Sequence, residues 1–317
     1  MKRLPQWVIV VLLLVLLLLL VVVVLQDSAR RTSTPVINVS TVEMPPVVYE
    51  DFHDSDAIHD AGKAEKNVAS TAKVIIDADP YGTHQVLATS RHGIALVMDD
   101  VGYDLPALKR VLALPIPVAI SILPDAPKAR EAAELAHSAG QVVMLHLPME
   151  PANPHYRDKM DATFLRADMD QQTIQSMYLK ALEKVPYVRG MNNHMGSMLT
   201  TLQQPMDWIM QIGEQRGLFF VDSKTASTSI ADKTAESHGL PWAKRSVFLD
   251  HSSEAAEMDK AWQHVLACAK KQKSGCIIIA HPHAETLHFL EQRLQIAEPA
   301  EIQSFKPVDQ LLHYPAS

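Results

Sequence analysis

Seven short apolar runs recur through the last two thirds of the chain, at 94–98, 118–122, 142–145, 190–192, 218–221, 247–249 and 276–280. Longer segments with apolar residues at helical spacing separate them. Runs of this length without polar alternation read as strands buried on both faces, and such strands alternating with helices specify a parallel sheet or barrel covered by helices. The fold class is therefore α/β. Helix signals agree: Asp125 and Asp170 stand ahead of helical runs, and Gly140 and Gly217 stand where such runs stop.

The runs end in a chemically uniform way. They stop at Asp99-Asp100, Pro124-Asp125, His146, Asn193-His194, Asp222-Ser223, Asp250-His251 and His281-Pro282-His283. In a parallel α/β arrangement all strand C-termini open on one face, so residues far apart in sequence converge around one pocket. Histidines and aspartates converging on such a rim are the donors of a divalent-metal site. A three-ligand site keeps a position for water, whose pKa falls from about 15.7 to about 7 on the metal. A carboxylate beside the metal then takes a proton and a histidine opposite returns one to a leaving group. The reaction class is metal-assisted hydrolysis of a carbonyl or phosphoryl compound, and the lack of basic residues among the strand ends disfavours phosphate esters. Asp250 and His251 read as structural.

Five of these segments carry a family resemblance: Ile94-Ala-Leu-Val-Met-Asp-Asp-Val-Gly102, His146-Leu-Pro-Met-Glu-Pro151, Asn192-Asn-His-Met-Gly-Ser197, Phe219-Phe-Val-Asp-Ser223 and Ile279-Ala-His-Pro-His283. From about residue 93 to the C-terminus the chain resembles the divergent polysaccharide deacetylases, relatives of the NodB-type carbohydrate esterases. The resemblance implies a distorted (β/α)7 barrel, an acetylated glycan as substrate and a divalent cation, Zn²⁺, as cofactor. It implies Asp99 as base and Asp100 and His146 as metal ligands. Those enzymes carry a second metal histidine four residues on, where this chain has Glu150, and an arginine-proline-tyrosine motif, where it has Asn192-Asn193-His194. His194 is expected to supply the missing ligand, with Glu150 as the alternative, and Asn192 and Asn193 to bind substrate. His281 is expected to protonate the leaving group, oriented by Asp222, with His283 beside it as a support or in solvent. Arg189 is the nearest candidate for the absent arginine. That absence also motivates a second reading, a glycan-binding or scaffolding module without turnover.

Ahead of this domain, residues 7–25 are 19 consecutive apolar positions. As a helix they span about 28 Å, against ~30 Å of bilayer hydrocarbon. They exceed a signal-peptide core, although Asp27-Ser28-Ala29 leaves cleavage open. Residues 1–25 are read as a cytoplasmic stub and single-pass signal-anchor in the inner membrane. Residues 26–90 are read as a flexible acidic tether, with five basic and ten acidic residues, Pro35, Pro45 and Pro46, and a short docking strand at 73–77. Residues 91–317 are read as the deacetylase-like domain, on the extracytoplasmic or periplasmic side. A net charge of −7 with no basic segment argues against nucleic acid as a partner. Cys268 and Cys276, the only cysteines, either form a disulfide outside the cytoplasm or stay two separately buried thiols.

Overall fold

The computed structural model describes residues 92–270 and 275–315. The anchor at 7–25, the tether and the docking strand at 73–77 lie outside them, and no described helix is long and apolar enough to cross a membrane. The strands are β1 (Ile94–Val101), β2 (Val118–Ile122), β3 (Val143–Met149), β4 (Val188–Met195), β5 (Phe219–Asp222), β6 (Trp242–Lys244), β7 (Val247–Phe248) and β8 (Cys276–Ala280). They form one sheet in the order β6-β5-β4-β3-β2-β1-β8-β7, and every pairing is parallel. Each expected apolar run thus overlaps a strand, those at 142–145, 218–221 and 247–249 each overrunning it by one residue.

The eighth strand comes from a kink. β6 pairs with β5, and after only Arg245 and Ser246 the chain resumes as β7 and pairs with β8. One continuous stretch therefore holds both edges of the sheet, which curls upon itself, and the sheet has eight strands where seven were expected, β6 being the one not anticipated. Trp242–Lys244 has no signature of its own: it is three residues long and ends on an exposed lysine.

The two faces separate by residue parity, as the pleat demands. Leu96, Met98, Ile120, Leu145, Phe220 and Ile278 point outward into the large apolar cluster beneath the helices. Ala95, Val97, Ala119, Met144, Val221 and Ile279 point inward into a smaller one. The interior is tight: a Cβ on Gly190 would lie 2.3 Å from the Phe219 ring. At the strand-start end Val308, Leu311 and Leu312 join the inner cluster, while Phe305 bridges to Ile94 and His313 to Trp242. The C-terminal stretch is therefore the floor, and the strand C-termini are the mouth.

Helix ends follow their expected signals in part. Asp170 caps the helix Gln171–Lys184, accepting from the Thr173 N–H at 2.8 Å. Asp125 caps nothing; the chain first turns through Ala126 and Pro127, the helix starts at Ala129, and Asp125 pairs with Lys184 instead. Cys268 and Cys276 are joined as a disulfide with Cα atoms 5.9 Å apart, tying the end of the helix Ala255–Lys270 to the start of β8.

Candidate metal centre

Neighbouring residues on a regular strand face opposite ways, so Asp99 and Asp100 should diverge. Asp99 keeps the inward parity of Ala95 and Val97. The β1–β2 register shifts between Met98 and Val101, and Asp100 has φ 54°. This bulge turns the second carboxylate to the mouth as well. A left-handed non-glycine residue costs on the order of 1–3 kcal/mol, tolerated where surrounding structure enforces it.

His146 on β3 and Asn192 and His194 on β4 continue the inward parity of Met144 and Gly190, so the strands run through the site rather than stopping at it. Asp100 Oδ1 lies 3.1 Å from His146 Nε2 and 3.0 Å from His194 Nδ1, and these two nitrogens are 3.2 Å apart. Donors set 90–109° apart around a cation at 2.0–2.1 Å are separated by about 2.9–3.4 Å, so the triangle fits a divalent ion such as Zn²⁺. Asp100 Oδ1 is buried and accepts no hydrogen bond within the protein, which a cation would remedy. Burial alone would raise the Asp100 carboxyl, but His194, His146 and His281 outweigh it and hold it well below the ordinary carboxylate range. His146 is raised: burial opposes its charge, but Asp99 and Asp100 more than compensate. The field that draws a proton onto His146 is the field a cation would neutralise.

Two further groups flank the triangle. The Asp99 carboxylate, 2% exposed, accepts from the Asn192 amide at 2.9 and 3.0 Å and lies 3.8 Å from His146 Nε2. On the other side His281 Nε2 is 4.0 Å from Asp100 Oδ2, while its Nδ1 faces Asp250 Oδ1 at 3.2 Å. Asp250 Oδ2 also accepts from the His281 backbone N–H at 2.7 Å and from Thr286 Oγ1 at 2.8 Å. Burial works against a charged His281, yet Asp250, with Asp100 and Asp99 behind it, pushes its pKa up to about 9. With no cation in the triangle, these carboxylates favour the imidazolium form of the ring.

Residues 96–312 match the divergent polysaccharide deacetylase family. The chain belongs to that family. It is 36% identical over 206 residues to YibQ, an uncharacterised protein of Escherichia coli (strain K12), a match covering 65% of this chain and 63% of that protein. An uncharacterised Haemophilus influenzae protein is 34% identical over 202 residues, covering 64% and 71%. The chain thus spans just under two thirds of its E. coli relative's length. Among solved structures, an uncharacterised Agrobacterium tumefaciens C58 protein shares the fold, with a TM-score of 0.60 and 18% identity over 64% of this chain and 82% of that one.

Within this deacetylase-family domain several expected contacts are replaced by others. Asp222 does not orient His281. It shares parity with Phe220 on the outward side, where its carboxylate accepts from the Lys224 N–H and Ser229 Oγ, both at 2.8 Å; Asp250, read from sequence as structural, holds the histidine instead. Glu150 lies outside the triad, its Oε2 accepting from the Ala167 N–H at 2.7 Å and its Oε1 3.2 Å from Arg157 Nε, so it pins the 150–167 segment. Neither Asn192 nor Asn193 is placed to bind substrate: they are 0% and 1% exposed. Asn193 is consumed by Met195 O and the Ser223 N–H, and Asn192 by four side chains. His283 stacks on His281 with ring centroids 5.8 Å apart. Arg189 sits at the far end of β4, paired with Asp309 at 2.7 Å.

Proposed function

We propose that the chain is a metal-dependent hydrolase that removes acetyl groups from a cell-envelope glycan, with Zn²⁺ held by Asp100, His146 and His194. The observation that carries this reading is the ligand triangle flanked by a held carboxylate, Asp99, on one side and by His281, backed by Asp250, on the other. When bound, the cation supplies Lewis-acid polarisation of an acyl carbonyl and acidifies water at neutral pH. Asp99, fixed by the Asn192 amide, accepts the proton of the attacking water. His281 holds a proton for the departing nitrogen or oxygen, and Asp250 keeps the ring charged and aimed. The Cys268–Cys276 disulfide supports an oxidising, extracytoplasmic location for the domain, with residues 7–25 as its membrane anchor.

The test is acetate release by the full-length chain from peptidoglycan fragments and N-acetylated chito-oligosaccharides, with and without a chelator, beside Asp99→Asn. The reading expects chelator-sensitive release that the variant loses. A chain holding stoichiometric cation that binds these glycans but frees no acetate is a binding module, and the hydrolase reading fails.

A further inference from the structure

Asn192 is a fully buried amide whose four hydrogen-bonding positions are all used. Its Oδ1 accepts from Ser121 Oγ at 2.6 Å and contacts His146 Nδ1 at 2.8 Å. Its Nδ2 reaches both Asp99 oxygens, at 2.9 and 3.0 Å, and Ser223 Oγ at 3.2 Å. An ionised carboxylate can only accept, so the end facing Asp99 must be the NH2 and the end facing His146 must be the carbonyl. A carbonyl can only accept, so His146 Nδ1 must carry hydrogen. In the neutral ring the lone pair then lies on Nε2, the atom in the ligand triangle.

We propose that Asn192 is a positioning residue that couples the two halves of the site, its carbonyl setting the metal-binding tautomer of His146 and its NH2 aiming the base Asp99. This deepens the deacetylase reading and rests on it. The β3–β4 register places His146 directly opposite Asn192, and Asn192 shares the inward face with Met144 and Gly190, so the amide reaches both partners from one strand position. Aspartate in its place keeps the acceptor and loses the neutral donor. Alanine loses both.

The experiment is a cobalt(II) titration of the full-length chain, following the ligand-field absorption, for wild type, Asn192→Ala, Asn192→Asp and Ser121→Ala. Acetate release from N-acetylated chito-oligosaccharide is measured at saturating cation in parallel. Asn192→Ala is expected to weaken cobalt binding by about 10–100-fold and to alter the spectrum, as loss of an outer partner of a ligating histidine does. Asn192→Asp is expected to bind cobalt within about threefold of wild type with an unchanged spectrum, yet to lose at least about a hundredfold in kcat at constant KM, because the NH2 that aims both Asp99 oxygens is replaced by an oxygen with no hydrogen to give them. Ser121→Ala, which takes one hydrogen bond from the same amide, is expected to leave both readouts near wild type and controls for simple destabilisation. The proposal is overturned if Asn192→Ala keeps wild-type cobalt affinity and spectrum, or if Asn192→Asp loses cobalt as fully as alanine does. A wild-type chain that binds no cobalt overturns the metal-dependent reading with it, whereas cobalt binding that follows this pattern without acetate release leaves the Asn192–His146 half standing and refutes only the catalysis.

Discussion

Asp250→Asn isolates the contribution of one buried charge while preserving shape. The carboxylate takes the His281 N–H at 2.7 Å, Thr286 Oγ1 at 2.8 Å and His281 Nδ1 at 3.2 Å, at 1% exposure. A hydrogen bond to a charged partner contributes about 1.5–3 kcal/mol, and one pKa unit corresponds to about 1.4 kcal/mol. Losing the charge should therefore lower His281 from about 9 to roughly 7–8, since Asp100 and Asp99 remain. The folded pKa is raised above the ordinary value of 6.5, so its stabilisation is fully present below pH 6.5 and is lost as pH rises through about 9. The cation-free variant should be less stable than wild type by about 2 kcal/mol at pH 6, and the gap should narrow above pH 9 to the constant cost of an amide N–H facing another donor. Urea unfolding at several pH values measures the gap, and histidine ring NMR titration measures the pKa. A stability difference that stays constant with pH, or a variant ring still titrating near 9, refutes the assignment of Asp250 as the partner that charges His281.

Two other outcomes follow from contacts already described. His194→Ala should lower cation affinity by more than about a hundredfold, beyond the loss of an outer contact, whereas Glu150→Ala should leave it within about threefold and instead expose the 150–167 segment to proteolysis; metal analysis of the two purified variants separates the ligand from the loop pin. Thiol counting should find no free cysteine without reductant and two with it, and reduction should lower stability by about 2–3 kcal/mol for a loop this short, measured by denaturant unfolding.

Much of the site was legible because pleat parity and strand-end chemistry agree. Met144 and His146, Gly190 with Asn192 and His194, and Ile277, Ile279 and His281 each lie on one face by simple alternation. The same alternation, applied to the next strands, separates Asp222 from the site, since it shares the outward side of Phe220, and brings in Asp250 two residues after Phe248, which packs against the inner cluster. That signal was present; what hid it was the strand-five match, which favoured Asp222. Other features carry no local signal. The bulge at Asp100 depends on a left-handed backbone that aspartate does not announce, and β6 is too short to show a period. The burial of Asn192 and Asn193 follows from what neighbouring segments bring against them, Asp99, Ser121 and His146 on the first and Ser223 and Thr225 on the second, so a polar pair that reads as substrate-facing is consumed by its neighbours.

The floor at residues 305–313 has a consequence for timing. Ile94 pairs with Phe305 and Trp242 with His313, so the first strand finds one of its partners only after two hundred intervening residues have been made. Closing so long a loop adds little to the equilibrium cost, which grows logarithmically, but contacts this distant slow folding. A chain emerging from its N-terminal side can assemble the ligand-bearing strands before the stopper arrives, with the inner cluster still lacking Val308, Leu311 and Leu312. Residues 305–313 therefore decide when the interior of the domain becomes dry, and a site that depends on a dry interior matures once they are in place rather than when its own residues appear.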